Sequence, residues 1–454
     1  MNSLKSYGAA EEVTGSKHLL NINGKKYLID CGIFQAKDAE KKNKEFKLPK
    51  DIEAIFLTHA HADHCALLPK VVKEGYRNNI YSTPATRDLS SVVMLDSAKL
   101  QQNSKEPIYN EKDCLETMNH FRCAVYGKEK KIDDLKFTFY DAGHILGSSM
   151  IDISYPTNFI GKIFGKKEHH ILFTGDIGRE DNPICNSPAT NFPAPEYIVM
   201  ESTYGNRTHE KVDTVYQELT YIINRTIERG GKILIPSFAI ERAQELIYFI
   251  KVLMNEEKIP RIPVYVDSPM AINAMGVFNI HAECFNDKIK EEFVSKGKNP
   301  FSTRTLSFIN DLKESTKISK SKKPCIIISC NGMMEGGRIL NHLKHNIENP
   351  NNTILIVGYM AENTLGRKVL QKTPEIQIDN EKYLLKCEVQ KINALSAHGD
   401  YKEMLNWLKK IDTSKLKKIF LVHGEKDSQK YFSQYLTENG FNVQIVKKGG
   451  EYKL

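Results

Sequence analysis

The chain is short of several things, and each shortage removes a class of answers. No apolar run in its 454 residues reaches the roughly 18–20 needed to cross a bilayer, so no membrane span is expected. No Cys-x-x-Cys pair occurs: the nine cysteines, among them Cys31, Cys65, Cys114, Cys123 and Cys185, stand singly. That is the usage of reduced thiols in a cytoplasm and not of a disulfide framework. Met1-Asn2-Ser3-Leu4-Lys5 leads straight into an expected strand, without the pattern of a signal peptide. Nor is there a strong charge excess. With 64 Lys and Arg against 56 acids the net charge is +8, mild for this length, which fits a polyanionic partner without demanding one. The lysine-dense stretch 37–50 also carries acids and reads mainly as solvated surface. A content of 41% hydrophobic and 26% charged residues describes an ordinary soluble protein, long enough for two or three domains.

What the chain does have is concentrated in Thr58-His59-Ala60-His61-Ala62-Asp63-His64, three imidazoles and a carboxylate in one short run. The run follows the apolar residues Ile55, Phe56 and Leu57, which read as the end of a buried strand. His59 and His61 alternate as they leave that strand. A helix expected over 62–70 then turns Asp63 and His64 back toward the same spot. Three imidazole nitrogens and a carboxylate suit zinc, and so many ligands in one run leave room for two metals. Cys65, beside His64, reads as a packing residue.

Other segments offer ligands in matching settings. The alternating strand Phe137-Thr138-Phe139-Tyr140-Asp141 runs into Ala142-Gly143-His144. The apolar strand Ile171-Leu172-Phe173 runs into Thr174-Gly175-Asp176, and Ile419-Phe420-Leu421-Val422 runs into His423-Gly424. Each places one ligand-type side chain at the carboxyl end of a buried strand, as a shared site at one edge of a layered α/β fold requires.

At these residues the chain resembles the metallo-β-lactamase superfamily of metal-dependent hydrolases. The further motifs Glu201-Ser202-Thr203-Tyr204-Gly205 and Ser396-Ala397-His398-Gly399-Asp400 resemble its nucleic-acid-processing branch, β-CASP. Residues 8–16 and Asp30-Cys31-Gly32 resemble the branch's first motif, so that the likeness runs from about residue 5 to about 450. The resemblance implies an α/β fold, a metallo-β-lactamase αββα sandwich with an inserted β-CASP domain. It implies two Zn2+ per chain, with Mn2+ as the alternative. One would be held by His59, His61 and His144 and the other by Asp63, His64 and His423, with Asp176 bridging and Asp30 orienting the ligand turn from behind. Read alone, His398 is equally a packed or surface histidine; the resemblance makes it the acid that protonates the leaving oxygen, held by Glu201. Asp63, Asp176, Glu201 and His398 are then the catalytic set.

Along the chain, the pattern implies residues 1–206 as the first part of the metal-binding domain, 207–362 as the insertion and 363–454 as the return. Helices are expected over 212–229 and 239–254, and strands over 232–236, 264–267, 325–329 and 353–358. Such repeated strand-helix units point to a parallel sheet covered on both faces, and the active site is expected in the cleft between the domains. Carboxyl ends of parallel strands bind ligands, which makes Ser329, Asn331, Gly332, Arg242, Arg338, Arg367 and Ser396 the expected substrate-binding residues. The resemblance is to compact bacterial endoribonucleases of this branch, similar to the nuclease subunit of the polyadenylation machinery. It implies no KH domains ahead of the first motif and no long domain after His423. DNA-directed members tend to carry valine at the position of His423, which favours single-stranded RNA as partner. The expected activity is metal-dependent RNA phosphodiester hydrolysis, endonucleolytic in the first instance. Exonucleolytic action, a DNA or small-ester hydrolase on the same centre, and a catalytically dead scaffold are the alternatives. The oligomeric state is not legible, a homodimer being one option.

Overall fold

A computed structural model describes residues 2–35, 38–102, 104–157, 168–361 and 363–454. The chain divides into two compact units, one formed by Met1–Thr208 with Ala397–Leu454, the other by His209–Ser396.

The discontinuous unit is built on two seven-stranded sheets. In the first, Ser3–Gly8, Lys17–Ile22 and Lys25–Ile29 form an antiparallel meander, and Ile52–Phe56 joins Lys25–Ile29 in parallel. Alternation of apolar and polar residues buries one face of each meander strand, so Leu4, Leu20, Ile29 and Phe56 meet Phe137, Phe139, Ile153, Phe173, Val199 and Phe420 of the second sheet in one core. The outer face of the second sheet (Leu172, Ile198, Leu421) is covered by Met404, Leu405, Trp407 and Leu408 of the helix Tyr401–Lys410. Helices Pro84–Leu100 and Glu111–Asn119 flank the first sheet. This is the expected αββα sandwich. In the second sheet Glu168–Phe173, Tyr197–Met200 and Lys418–Leu421 run parallel. Leu135–Asp141 points the same way, because Ser149–Pro156 lies antiparallel to both it and Glu168–Phe173. Four strands therefore deliver their carboxyl ends to one edge.

The inserted unit holds a six-stranded all-parallel sheet in the spatial order 306–308, 264–267, 326–329, 233–236, 353–356, 388–391. Ile233–Pro236, Ile326–Ser329 and Thr353–Ile356 are buried throughout, as strands covered on both faces must be. The helices Asp213–Glu228 and Arg242–Asn255 fall close to their expected spans. The return at 363 is corrected to 397. Glu388–Lys391 extends the insert's sheet beside Thr353–Ile356, and Val369, Ile376, Ile378, Cys387 and Val389 pack into the insert's core. The helix expected over 62–70 is also corrected: it breaks into Ala62–Cys65 and Leu68–Lys73, with Pro69 starting the second piece, where a proline costs no helical hydrogen bond.

Lys37 of the lysine-dense stretch lies outside the described residues. In the rest of it, Lys42 and Lys44 of the helix Ala39–Glu45 are ion-paired to Glu12 at 3.1 Å and Glu40 at 2.9 Å, the solvated reading. Among the described residues no helix is long and apolar enough to cross a membrane.

A buried polar network locks the insert. Asp267, fully buried, accepts from Arg338 Nη1 at 2.6 Å, His342 Nε2 at 2.6 Å and Ser315 Oγ at 2.5 Å. Burial works to raise its carboxyl, but these hydrogen bonds prevail and hold it below the usual carboxylate range. A depressed carboxylate contributes stability above its unfolded pKa, and that stability is lost as pH falls through the folded value. Asp267→Asn is therefore expected to cost about 3–5 kcal/mol at neutral pH, the cost of breaking a buried pair from one side. The difference from the unsubstituted protein should shrink on acidification below about pH 4. Chemical denaturation at pH 7 and at pH 3.5 checks this; a cost unchanged between the two would contradict it.

Candidate metal centre

The ligand turn is held by its neighbours before any metal is considered. Asp30, at the end of Lys25–Ile29, accepts from Thr58 N at 2.8 Å, Thr58 Oγ1 at 2.9 Å and His64 Nδ1 at 2.7 Å. It therefore anchors the first residue of the ligand run and one of its histidines together. Gly32 is pressed so tightly against the run that a Cβ there would lie 1.6 Å from Asp63 O. Gly178 plays the same part between the loops carrying Asp176 and His144, with a Cβ position 1.8 Å from Gly143 O. At both places only a glycine fits.

The seven residues with ligand-type side chains converge. His59, His61, His144 and Asp176 form one group and Asp63, His64 and His423 a second. In the first, His61 Nδ1 lies 3.1 Å from both His59 Nε2 and His144 Nε2, while Asp176 Oδ2 lies 3.4 and 3.6 Å from the latter two. In the second, His64 Nε2 and His423 Nε2 are 3.1 Å apart, Asp63 Oδ2 is 3.3 Å from His423 Nε2, and Asp176 Oδ1 is 3.5 Å from His64 Nε2. Atoms bonded at about 2.0–2.1 Å to one tetrahedral ion lie about 3.3 Å from each other, which is the spacing seen. Four of the rings are fixed through their other nitrogen: His59 by Thr58 Oγ1 at 3.0 Å, His64 by Asp30, His144 by Ala397 O at 3.0 Å and His423 by Thr203 Oγ1 at 3.0 Å. That leaves each Nε2 facing inward, the arrangement metal-binding histidines use. Asp176 Oδ1 is buried without a hydrogen-bond partner, an expensive state for a carboxylate oxygen unless a cation completes it. The donor set fits a metal.

At the edge of the cluster, His398 Nδ1 donates to Glu201 Oε1 at 3.0 Å and lies 3.9 Å from Asp176 Oδ2. Glu201 is fully buried and also accepts from Ile177 N at 2.7 Å. Three family models match the chain: "Beta-Casp domain" over 243–369, "Zn-dependent metallo-hydrolase RNA specificity domain" over 382–446, and "Anti-Pycsar protein Apyc1" over 7–229. Ribonuclease TTHA0252 of Thermus thermophilus is 33% identical over 444 residues, covering 98% of both chains. The chain belongs to the β-CASP family of metallo-β-lactamase-type hydrolases. An RNase J-like protein of Methanocaldococcus jannaschii is 34% identical, covering 93% of this chain and 92% of its own. Transcription termination factor FttA of Methanothermobacter thermautotrophicus is 33% identical over 93% of this chain and 67% of its own. A solved protein of unknown function from Enterococcus faecalis V583 shares the fold, at a TM-score of 0.58 and 14% identity over the full length of both chains.

The electrostatics of the β-CASP centre hold His59, His61, His144 and Asp63 in their binding forms and His64 in its protonated form. Burial, with the neighbouring imidazoles adding to it, holds His59 and His144 well below the ordinary imidazole range. Burial also brings His61 down to about 4. Neutral imidazole is the form that binds metal. Burial acts the other way on Asp63, yet its hydrogen bond with His423 and the charge of His64 keep it well below the carboxylate range. His64 is pushed up to about 10: burial opposes this, but Asp176 and Asp30 outweigh it. In the same way burial pulls His398 down while the Glu201 carboxylate pushes it up to about 9.

The seven metal-type ligands, Asp30, Glu201 and His398 are thus brought together in the discontinuous unit. The expected substrate-binding residues belong to the insert, and three of them serve its own interior. Arg338 is tied to Asp267, Ile309 O at 2.8 Å and Asn310 O at 2.6 Å. Arg242 is buried against Glu245, and Ser329 Oγ donates to Asp267 O at 2.9 Å. These contacts engage donors of Arg338 and Ser329, while Arg242 Nε is buried without a hydrogen-bond partner. Asn331 is exposed and accepts from Met333 N at 2.7 Å, Gly332 is buried beside Phe238, Arg367 is half-buried on the helix Leu365–Leu370, and Ser396 is half-buried just ahead of His398. Thr58 and Thr203, which fix His59 and His423, were not singled out from the sequence. Their place inside the two ligand-bearing motifs was the available signal.

Proposed function

We propose that this protein hydrolyses single-stranded RNA with two zinc ions, manganese being the alternative, cutting internal phosphodiester bonds in the cytoplasm. The observation that carries the reading is the paired ligand shell sharing Asp176, with His398 and Glu201 at its edge. His59, His61 and His144 would hold one ion, Asp63, His64 and His423 the other, and Asp176 would give one carboxylate oxygen to each. When bound, such a pair supplies a hydroxide nucleophile near neutral pH and offsets charge building on the phosphoryl oxygens. The protein's own residues do the rest. The Glu201 carboxylate fixes the His398 ring through Nδ1 and keeps it protonated, so that Nε2 carries the proton to be delivered. As the phosphorus–O3′ bond breaks, His398 passes that proton to O3′, leaving a 3′ hydroxyl and a 5′ phosphate. Ser329, Asn331, Gly332, Arg242, Arg338, Arg367 and Ser396 are the candidates for contacts with the strand. The nine free cysteines agree with a reducing compartment.

Cleavage mapping of a 5′-labelled single-stranded RNA beside its DNA counterpart tests this. Internal cuts confined to RNA, with 5′-phosphate ends and abolished by a chelator, are expected. Release of mononucleotides alone would make the enzyme an exonuclease with the same chemistry. No cleavage of either strand with zinc or manganese would remove the nuclease reading and point to small esters.

A further inference from the structure

The segment that carries His398 is attached to the rest of the centre at several points, among them a parallel bridge between Asp400 and Tyr204. Ala397 O accepts from His144 Nδ1 at 3.0 Å, and Gly399 N donates to Ile177 O at 2.8 Å. Beyond Gly399, Asp400 caps the helix Tyr401–Lys410 in a capping box: its Oδ1 accepts from Lys402 N and Glu403 N, and its own N–H donates to Glu403 Oε2 at 2.8 Å. The other oxygen of that carboxylate, Glu403 Oε1, accepts from Arg179 Nε at 3.3 Å. Arg179 is 3% exposed and lies on the loop that begins with the shared ligand Asp176. Its guanidinium also reaches Asp181 at 3.0 Å, so its charge is met on both sides.

These bonds close a ring. From Asp176 the backbone leads through Ile177 and Gly178 to Arg179, across to Glu403, up to Asp400 and Gly399, and so to His398. His398 returns through Glu201, which accepts from Ile177 N. The loop of the shared ligand and the loop of the acid are thereby one assembly, in which the Arg179–Glu403 ion pair joins the Asp176 loop to the start of the helix Tyr401–Lys410 and Lys410–Glu180, at 2.5 Å, joins it to the helix's far end. Gly399 allows the close approach, since even a Cβ there would lie 3.2 Å from Gly178 O.

We propose that Arg179 and Glu403 are a positioning pair for the proton donor: they hold the start of the helix Tyr401–Lys410 against the Asp176 loop, and thereby set where His398 meets the leaving oxygen. The proposal rests on the reading of His398 as general acid. Both residues would act on the acid through the two loops they join. The pair adds a charged contact to the Gly399 N–Ile177 O bond and the Tyr204–Asp400 bridge that hold this end of the helix, and a shift of about 1 Å in a reacting group costs on the order of a hundredfold in rate.

A comparison of leaving groups tests it on the full-length, metal-loaded protein. The ribose O3′ of an RNA oligonucleotide needs a proton to depart, whereas the nitrophenolate of bis(p-nitrophenyl) phosphate leaves as a stable anion and does not. Arg179→Ala is expected to lower kcat on RNA by about 10- to 100-fold, with KM, metal content and hydrolysis of the nitrophenyl ester within about twofold of the unsubstituted protein. Arg179→Lys should recover part of the loss, since it restores the charge but not the planar fork. Should Arg179→Ala fail to fold, Glu403→Gln keeps the side chain's shape and its acceptor for Asp400 N and carries the same comparison. Equal losses on the two substrates would overturn the proposal, as would an unchanged kcat on RNA. His398→Ala run in parallel separates the underlying reading: if it too loses both substrates equally, His398 is not the acid and the positioning role falls with it.

Discussion

Asp176→Asn is expected to lower RNA cleavage by on the order of a thousandfold or more, well beyond the roughly 10–100-fold typical of residues that only orient a ligand. The residue is unusual in serving both halves of the centre. Its Oδ2 faces His59 Nε2 and His144 Nε2 at 3.4 and 3.6 Å, and its Oδ1 faces His64 Nε2 at 3.5 Å. Asparagine keeps the shape, removes the charge and replaces one ligating oxygen by a donor nitrogen, so both groups lose an anionic ligand at once. Metal content should fall together with the rate. Stability of the metal-free protein is expected to move in the other direction. Burial raises the Asp176 carboxyl, partly countered by His423 and His64, so a charge there at neutral pH is costly to the empty fold. Melting of the chelated proteins at pH 7 should therefore place the variant at or above the unsubstituted chain. Metal content and cleavage both within about tenfold of normal would refute the shared-ligand role.

The second large effect is at His398. Its replacement by alanine should cost about 10²–10⁴-fold in RNA cleavage, the range of a lost general acid, while the bound metal stays in place because none of the seven ligand-type residues is changed. Glu201→Gln should cost less and do something His398→Ala cannot, namely move the pH profile. As the proposed general acid His398 acts in its protonated form, so activity is expected to fall as pH rises through its pKa. Glu201 pushes that pKa up to about 9 against the downward pull of burial. Without the carboxylate the pKa drops, and the alkaline limb of kcat should shift to lower pH. A limb that stays where it was in Glu201→Gln would show that some other group sets it.

The chemistry of the centre was legible in the sequence because it is written locally. His59, His61, Asp63 and His64 sit in one run after an apolar strand, and His144, Asp176 and His423 each follow another. A ligand at the end of a buried strand is visible from residue type and period alone. The helices Asp213–Glu228 and Arg242–Asn255 and the strands at 233–236, 264–267, 326–329 and 353–356 were legible for the same reason, since apolar strands and amphipathic helices carry their own periodicity, whereas Leu306–Phe308, Leu312–Lys320 and Arg338–Asn346 were not. Three things needed the tertiary structure. Glu388–Lys391 is a short strand of mixed polarity whose pairing with Thr353–Ile356 decides that residues 363–396 belong to the insert; a half-polar edge strand has no distinctive period. Arg242, Arg338 and Ser329 looked like phosphate contacts because a guanidinium or hydroxyl beside a glycine-rich turn has the right chemistry. Only folding places Glu245 against Arg242 and Asp267 against Arg338 and Ser329. And nothing near Arg179 or Glu403 in the sequence announces that they meet. The sequence by itself determined where the metal-type side chains stand, because a ligand at the end of a buried strand is a local pattern, whereas for His398 it took the resemblance to the family to suggest a role. The tertiary structure alone decided which polar groups face inward and which loops are tied together, because a hydrogen bond between distant segments depends on geometry that no local pattern encodes.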